Sequence, residues 1–207
     1  MWLRKLGNWH ANQLVFLDES GINAKSGERN RGWGRKGKVV TAAVPYVKAE
    51  NFSVLPAMTV NGYIACNIYQ GSVNRERFKA FVKDDLLPHC NPYPGPKSII
   101  VMDNAAIHDP LGQVRVELFK LTQEIKKLIE DRGCRCEYLP PYSPDFNPIE
   151  YSFSVIKKVI KNQYQLRGNE TPHQMARLVL KASIDAITPQ IARNQFRHCK
   201  IYFGDDD

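Results

Sequence analysis

Apolar residues along this chain occur in two patterns, short continuous runs and longer stretches spaced by three and four. Gln13 to Phe16 with Leu17 is a short run that stops at Asp18, Glu19 and Ser20. It predicts a buried strand with acids at its carboxyl end. Phe52 to Val60 and Tyr63 to Gln70 predict two more strands, with Asn61-Gly62 supplying the hairpin turn. Residues 39 to 47 read as a further extended piece. Ser98 to Met102 is the clearest strand, ending at Asp103 and Asn104, and Cys134 to Leu139 is another.

Helical spacing takes over between and after these runs. Asn74 caps a helix from about Arg75 to Leu87, with Phe78, Phe81, Val82 and Leu86 on one face and Pro88 as its stop. Val114 to Arg132 is strongly helical, with Val116, Phe119, Leu121, Ile125, Leu128 and Ile129 facing a core and Gly133 closing it. Thr171-Pro172 and Thr188-Pro189 each pair a cap with a proline at the first helical position. The first of these helices turns Met175, Leu178, Val179, Ala182 and Ala186 inward. A three-strand meander followed by alternating helices and strands predicts an α/β fold, with a mixed central sheet of about five strands flanked by helices and extra C-terminal helices. No linker divides it. Residues 1–12 read as the remnant of an upstream connection, 13–203 as one domain and 204–207 as an acidic tail.

Tyr138 to Phe153 is unlike the rest, with four prolines in a short span. Each proline fixes its own φ and extends its predecessor, so the segment is a stiff arm. It ends in a helix start: Asn147 as N-cap, Pro148 first and Glu150 third. Phe153, Ile156, Val159 and Ile160 then recur at helical spacing, with Lys157, Lys158 and Lys161 between them. A glutamate at the third position suits a capping box and the positive end of the helix dipole. The same residue is well placed for chemistry.

Composition adds a partner class. The chain has 207 residues, 43% hydrophobic and 24% charged, with a net charge of +8 that favours a polyanion, nucleic acid before an anionic membrane. No apolar run approaches the ~18 residues of a membrane span, and the first residues show no secretory signal. The five scattered cysteines suit reduced thiols, and none has the second ligand pair of a zinc finger. The expectation is an intracellular protein, nuclear in a eukaryote and in the cytoplasm or nucleoid of a bacterium. Residues 21 to 38 form a glycine-rich basic loop in which Arg29, Arg31, Trp33, Arg35, Lys36 and Lys38 are candidates for nucleic-acid contact, since aromatic and guanidinium groups stack on bases. A solvated charged surface is the plainer role for that loop, as solubility is for Lys157, Lys158 and Lys161.

Asp18 and Asp103 share one context, the carboxyl end of an apolar strand, where groups in parallel sheets converge. Glu150 follows one strand later. Three gathered carboxylates repel one another and need a cation, and hard oxygen ligands suit Mg²⁺ or Mn²⁺. Two such ions about 4 Å apart can activate a water or hydroxyl and stabilise the leaving oxygen of a phosphodiester.

Val15-Phe-Leu-Asp-Glu-Ser-Gly21, Val101-Met-Asp-Asn-Ala-Ala-Ile-His108 and Leu139-Pro-Pro-Tyr-Ser-Pro-Asp-Phe-Asn-Pro-Ile-Glu150 stand in the order of three signatures that they resemble, those of the mariner-type DDE transposases. The basic Gly32-Trp33 loop and the ending Phe196-Arg-His-Cys-Lys-Ile-Tyr202 are similar to features of the same family. The resemblance implies an RNase H-like fold with Asp18, Asp103 and Glu150 as catalytic metal ligands. It further implies two Mg²⁺ or Mn²⁺ ions, hydrolysis at transposon ends, attack of the freed 3′ hydroxyl on target DNA, and a homodimer on DNA. Two departures stand out. Forty-six residues separate Asp103 from Glu150, more than is usual, the excess falling in Asp109 to Arg132. Such transposases also carry helix-turn-helix domains ahead of the catalytic one, for which this chain has no room. A domesticated, non-catalytic DNA-binding remnant is therefore the alternative function, and an RNase H-type nuclease acting on RNA–DNA hybrids is another.

Around the triad, Glu19 faces away from Asp18 by strand alternation and is expected outside the metal shell. Asp145 suits a turn. Asn104 and His108 are auxiliary candidates for positioning DNA or a metal-bound water, an ordinary loop role being equally open to His108.

Overall fold

Two parallel strands at the centre of the sheet are the apolar runs that end in aspartate. The computed structural model describes residues 2–23, 35–37, 51–103, 113–141, 143–163 and 171–202, with backbone alone for 113–120 and 163. The extended piece predicted at 39 to 47 lies outside the described residues, as do the side chains of the core candidates Val116 and Phe119. Strand β1 (Leu14–Leu17) pairs in parallel with β5 (Ile99–Met102), which pairs in parallel with β6 (Arg135–Tyr138). On its other side β1 runs antiparallel to β3 (Asn51–Thr59), and β4 (Gly62–Gln70) lines the far edge of β3. The predicted meander and mixed sheet are both present.

A sixth described strand, β2 (Ser20–Asn23), begins where the sequence was read as loop. It pairs with β3 on the same edge as β1, and the register runs on without slip from Leu17↔Ala57 to Ser20↔Val54. Asp18 and Glu19 are the interruption. Asp18 falls opposite Pro56, which has no N–H for the ladder, and on the other edge of β3 the pairing with β4 shifts register between Ala57 and Met58. The sheet edge thus opens at the acid. Gly62 closes the β3–β4 turn at φ +106°, and a Cβ there would sit 2.9 Å from the Ile187 carbonyl oxygen, so only glycine fits.

Alternation along the buried strands divides the core in two. Leu14, Phe16, Ile99 and Val101 face α4 (Pro148–Gln163), α5 (Pro172–Ala186) and α6 (Pro189–His198). Val15, Leu17, Ile100 and Met102 face α2 (Arg75–Ala80) with its continuation and α3 (Gln113–Asp131). A short α1 (Trp2–Leu6) joins the first layer through Trp2 and Leu6. Helices therefore cover both faces of the sheet. On α4 the stripe that seats on it is Ile149, Phe153, Ile156 and Ile160, all buried, while Val159 packs at its margin. Four such side chains contribute roughly 6–12 kcal/mol of hydrophobic burial, which fixes the helix whose first turn carries Glu150.

The second predicted helix differs from expectation. Only Arg75–Ala80 is α-helical; Phe81–Leu86 winds as a π-helix and Leu87–His89 as a 3₁₀ turn that carries the chain through Pro88. Proline at 88 cannot donate to the carbonyl of Asp84 and its ring crowds that group, so regular α winding fails before it. The wider π turn keeps Phe81, Val82 and Leu86 on the sheet. All five cysteines are free thiols, and among the described residues no helix is long and apolar enough to cross a membrane.

Candidate active site

Register brings the two aspartates together. Leu17 is paired with Met102, so the next residues of these parallel strands, Asp18 and Asp103, leave the sheet side by side, about 4.8 Å apart at the backbone. Both continue the alternation of Phe16 and Val101 towards the layer of α4. Glu19 takes the opposite side, where its Oε1 accepts from the Val73 N–H at 3.3 Å. Its own N–H donates to Asp18 Oδ1 at 2.7 Å.

Glu150 arrives from the neighbouring strand. β6 lies beside β5, and Leu139, accepted by the Met102 carbonyl at 2.9 Å, starts the proline arm next to Asp103. The arm passes through a 3₁₀ turn at Pro144–Phe146, which holds Asp145, and enters α4. There Asn147, buried, does two things. Its Oδ1 accepts from the Ile149 N–H at 3.4 Å, the capping bond expected of it. Its Nδ2 donates to Asp18 Oδ2 at 2.9 Å, across 129 residues of chain. The capping half of this role is legible from Asn-Pro; the bond to Asp18 has no local signal.

The charge of Glu150 and, more weakly, that of Asp103 reach the Asp18 carboxyl. Burial first, then the charge of Glu150, push the Asp18 carboxyl from 3.8 up to about 7, against the pull of the Glu19 N–H. Asp18, Glu19 and Asp103, but not Glu150, line a cleft of about 420 Å³ together with Leu17, Phe78, Met102, Leu121, Ile125 and Tyr138. Arg75 and Lys79 hold its far wall to α3 through Glu124, at 3.2 and 2.9 Å.

Comparison with known proteins decides what this arrangement belongs to. The family described as DDE superfamily endonuclease matches residues 13–171, more than half of the chain. The chain belongs to the DDE superfamily endonucleases. Its fold is the RNase H-like fold of the mariner transposase Mos1. The Mos1 paired-end complex with the left transposon end superposes with a TM-score of 0.61 at 16% identity, over 95% of this chain and 56% of that one. The mariner Mos1 paired-end complex with Mg gives 0.65 at 16%, over 96% and 58%. The catalytic domain of Mos1 alone gives 0.50 at 14%, over 95% and 83%. This DDE chain thus spans little more than half the length of the longer Mos1 chains. No curated protein matches it significantly.

The other residues singled out in this DDE sequence divide. Lys157, Lys158 and Lys161 stand seven, eight and eleven positions after Glu150 on α4 and so share its side of the helix; Lys158 is exposed, the other two half-buried. Arg35 and Lys36 are exposed in a turn. Arg29, Arg31, Trp33, Lys38, Asn104 and His108 lie outside the described residues.

The donor set suits a hard divalent cation. Among the described residues no group of three His, Cys, Asp or Glu side chains is arranged to hold a metal ion. Instead, burial and the charge of Glu150 keep the Asp18 carboxyl protonated up to about pH 7. Proton and cation therefore compete. A carboxyl whose folded pKa is raised stabilises the fold fully below its unfolded value of 3.8, and that contribution is lost as pH rises to about 7. The loss is on the order of 4 kcal/mol. In EDTA, the wild-type melting temperature is expected to fall more between pH 5 and pH 8 than that of Asp18→Asn. Mn²⁺ binding should release close to one proton at pH 6 and almost none at pH 9, measured by calorimetry in buffers of different ionisation enthalpy. Equal proton release at both would contradict the assignment.

Proposed function

We propose that this chain is a transposase catalytic domain that hydrolyses phosphodiesters at transposon ends and joins the freed 3′ hydroxyl to target DNA. The observation that supports the reading is the register that sets Asp18 beside Asp103, with Glu150 near enough for its charge to reach Asp18, in a DDE endonuclease fold. Asp18, Asp103 and Glu150 would hold Mg²⁺ or Mn²⁺, two ions in this reading. Bound there, such ions supply an activated water or hydroxyl and stabilise the leaving oxygen. The protein's own part is to hold the ligands at strand ends and a helix start, and to lay the DNA across them. Lys158 and Lys161 lie about 12 and 16 Å along the helix from Glu150, a reach of several phosphates of one strand. Arg35, Lys36 and the basic loop with Arg29, Arg31, Trp33 and Lys38 extend the contact, and Asn104 and His108 border Asp103 in sequence. Relatives of this fold are recorded as a paired-end complex with Mn and as a strand transfer complex. By that analogy the working form is a homodimer on DNA.

The test is nicking of supercoiled plasmid. Cleavage should require Mg²⁺ or Mn²⁺, vanish in EDTA and fall steeply with salt, since phosphate contacts release counterions. DNA binding without metal-dependent cleavage would make the chain a binding remnant. Cleavage of RNA–DNA hybrid with duplex DNA untouched would make it an RNase H-type nuclease.

A further inference from the structure

We infer that Asn147 is a positioning residue that fixes the orientation of the Asp18 carboxylate relative to Glu150, in addition to capping α4. This rests on the reading of Asp18 and Glu150 as metal ligands. Asn147 is only 2% exposed and every polar group on it is committed. Its backbone N–H donates to the Pro144 carbonyl at 2.9 Å and its carbonyl accepts from the Glu150 N–H at 3.2 Å. Its Oδ1 takes the Ile149 N–H, and its Nδ2 gives to Asp18 Oδ2.

The amide cannot be turned round. Flipping it would set its NH₂ against the Ile149 N–H and its oxygen against the Asp18 carboxylate, two repulsive contacts for two favourable ones. The cap therefore dictates which end of the amide meets Asp18. On the other side, Asp18 Oδ1 is held by the Glu19 N–H. Each carboxylate oxygen thus keeps one fixed donor and one remaining direction for a cation. One residue ties the end of β1 to the first turn of α4, so the separation of two ligands remote in sequence is set by a single buried amide. Left to electrostatics alone, two ionised carboxylates would turn apart.

Capping and positioning separate by substitution. Serine caps as well as asparagine but is too short to reach Asp18, whereas alanine does neither. Asn147→Ser should keep the wild-type melting temperature in EDTA to within a few degrees, and Asn147→Ala should melt lower. Both should bind Mn²⁺ 10–100-fold more weakly than wild type, by calorimetry or the free-Mn²⁺ electron paramagnetic resonance signal, the size typical of groups that orient metal ligands. The Mn²⁺ concentration for half-maximal nicking should rise by the same factor, with the rate recovering at saturation. Wild-type Mn²⁺ affinity in Asn147→Ser would overturn the inference and leave Asn147 a cap. Asp18→Ala serves as the control and should abolish binding; Mn²⁺ affinity unchanged by Asp18→Ala would overturn the metal-site reading and this inference together.

Discussion

Glu150→Gln is expected to lower metal-dependent strand cleavage by about 10³-fold or more while leaving the fold as stable as wild type, or more so, at pH 8. A thousandfold is about 4 kcal/mol of transition-state stabilisation, the scale on which a misplaced metal or a lost charge at a reacting centre acts. Glutamine keeps the size of the side chain and its place on the first turn of α4, so the loss is one of charge and not of packing. The stability half of the expectation follows from the site itself. Above pH 7 the metal-free protein holds Asp18 against the charge of Glu150, and removing that charge removes the repulsion. Plasmid nicking at a series of Mg²⁺ concentrations, beside melting in EDTA at pH 8, measures both. A large fall in melting temperature would give Glu150 a structural role. Activity within tenfold of wild type would remove it from the reaction.

Phe196→Ala is expected to destabilise the protein by about 3–5 kcal/mol, the range for a large aromatic removed from a core. Phe196 is fully buried in α6 and packs edge-on against Phe16, with ring centres 5.4 Å apart. Phe16 lies two residues before Asp18 on β1, so the C-terminal helix props the strand that presents the acid. For a chain of this size the melting temperature should drop on the order of 10 °C by calorimetry. Ile184→Ala on α5, 59% exposed, is the control and should stay within about 0.5 kcal/mol of wild type. A similar small effect at Phe196 would mean that α6 does not support the sheet.

The parts of this protein governed by neighbours in the chain are legible in the sequence. Leu14–Leu17 and Ile99–Met102 are continuous apolar runs because strands buried on both faces admit nothing else. Helix starts at Thr171-Pro172 and Thr188-Pro189 are written in cap residues whose bonds reach only three positions, and both caps form as expected, with Thr171 and Thr188 accepting from Gln174 and Ile191. The stiff arm before Glu150 follows from proline geometry alone.

Other features depended on partners far along the chain. Ser20–Asn23 is polar and short, with no strand pattern of its own, and becomes a strand because β3 continues past the gap left by Asp18. Phe81–Leu86 winds as a π-helix because the sheet needs three side chains on one face ahead of Pro88.

Residue order by itself determined which carboxylates end strands, which one starts a helix, and that the surface would favour a polyanion. Only tertiary structure decided that β1 and β5 are neighbours in the register that sets Asp18 beside Asp103, and that the Asn147 amide reaches Asp18 from 129 residues away. Strand pairing and a buried hydrogen bond are long-range choices, made by closing the whole core at once.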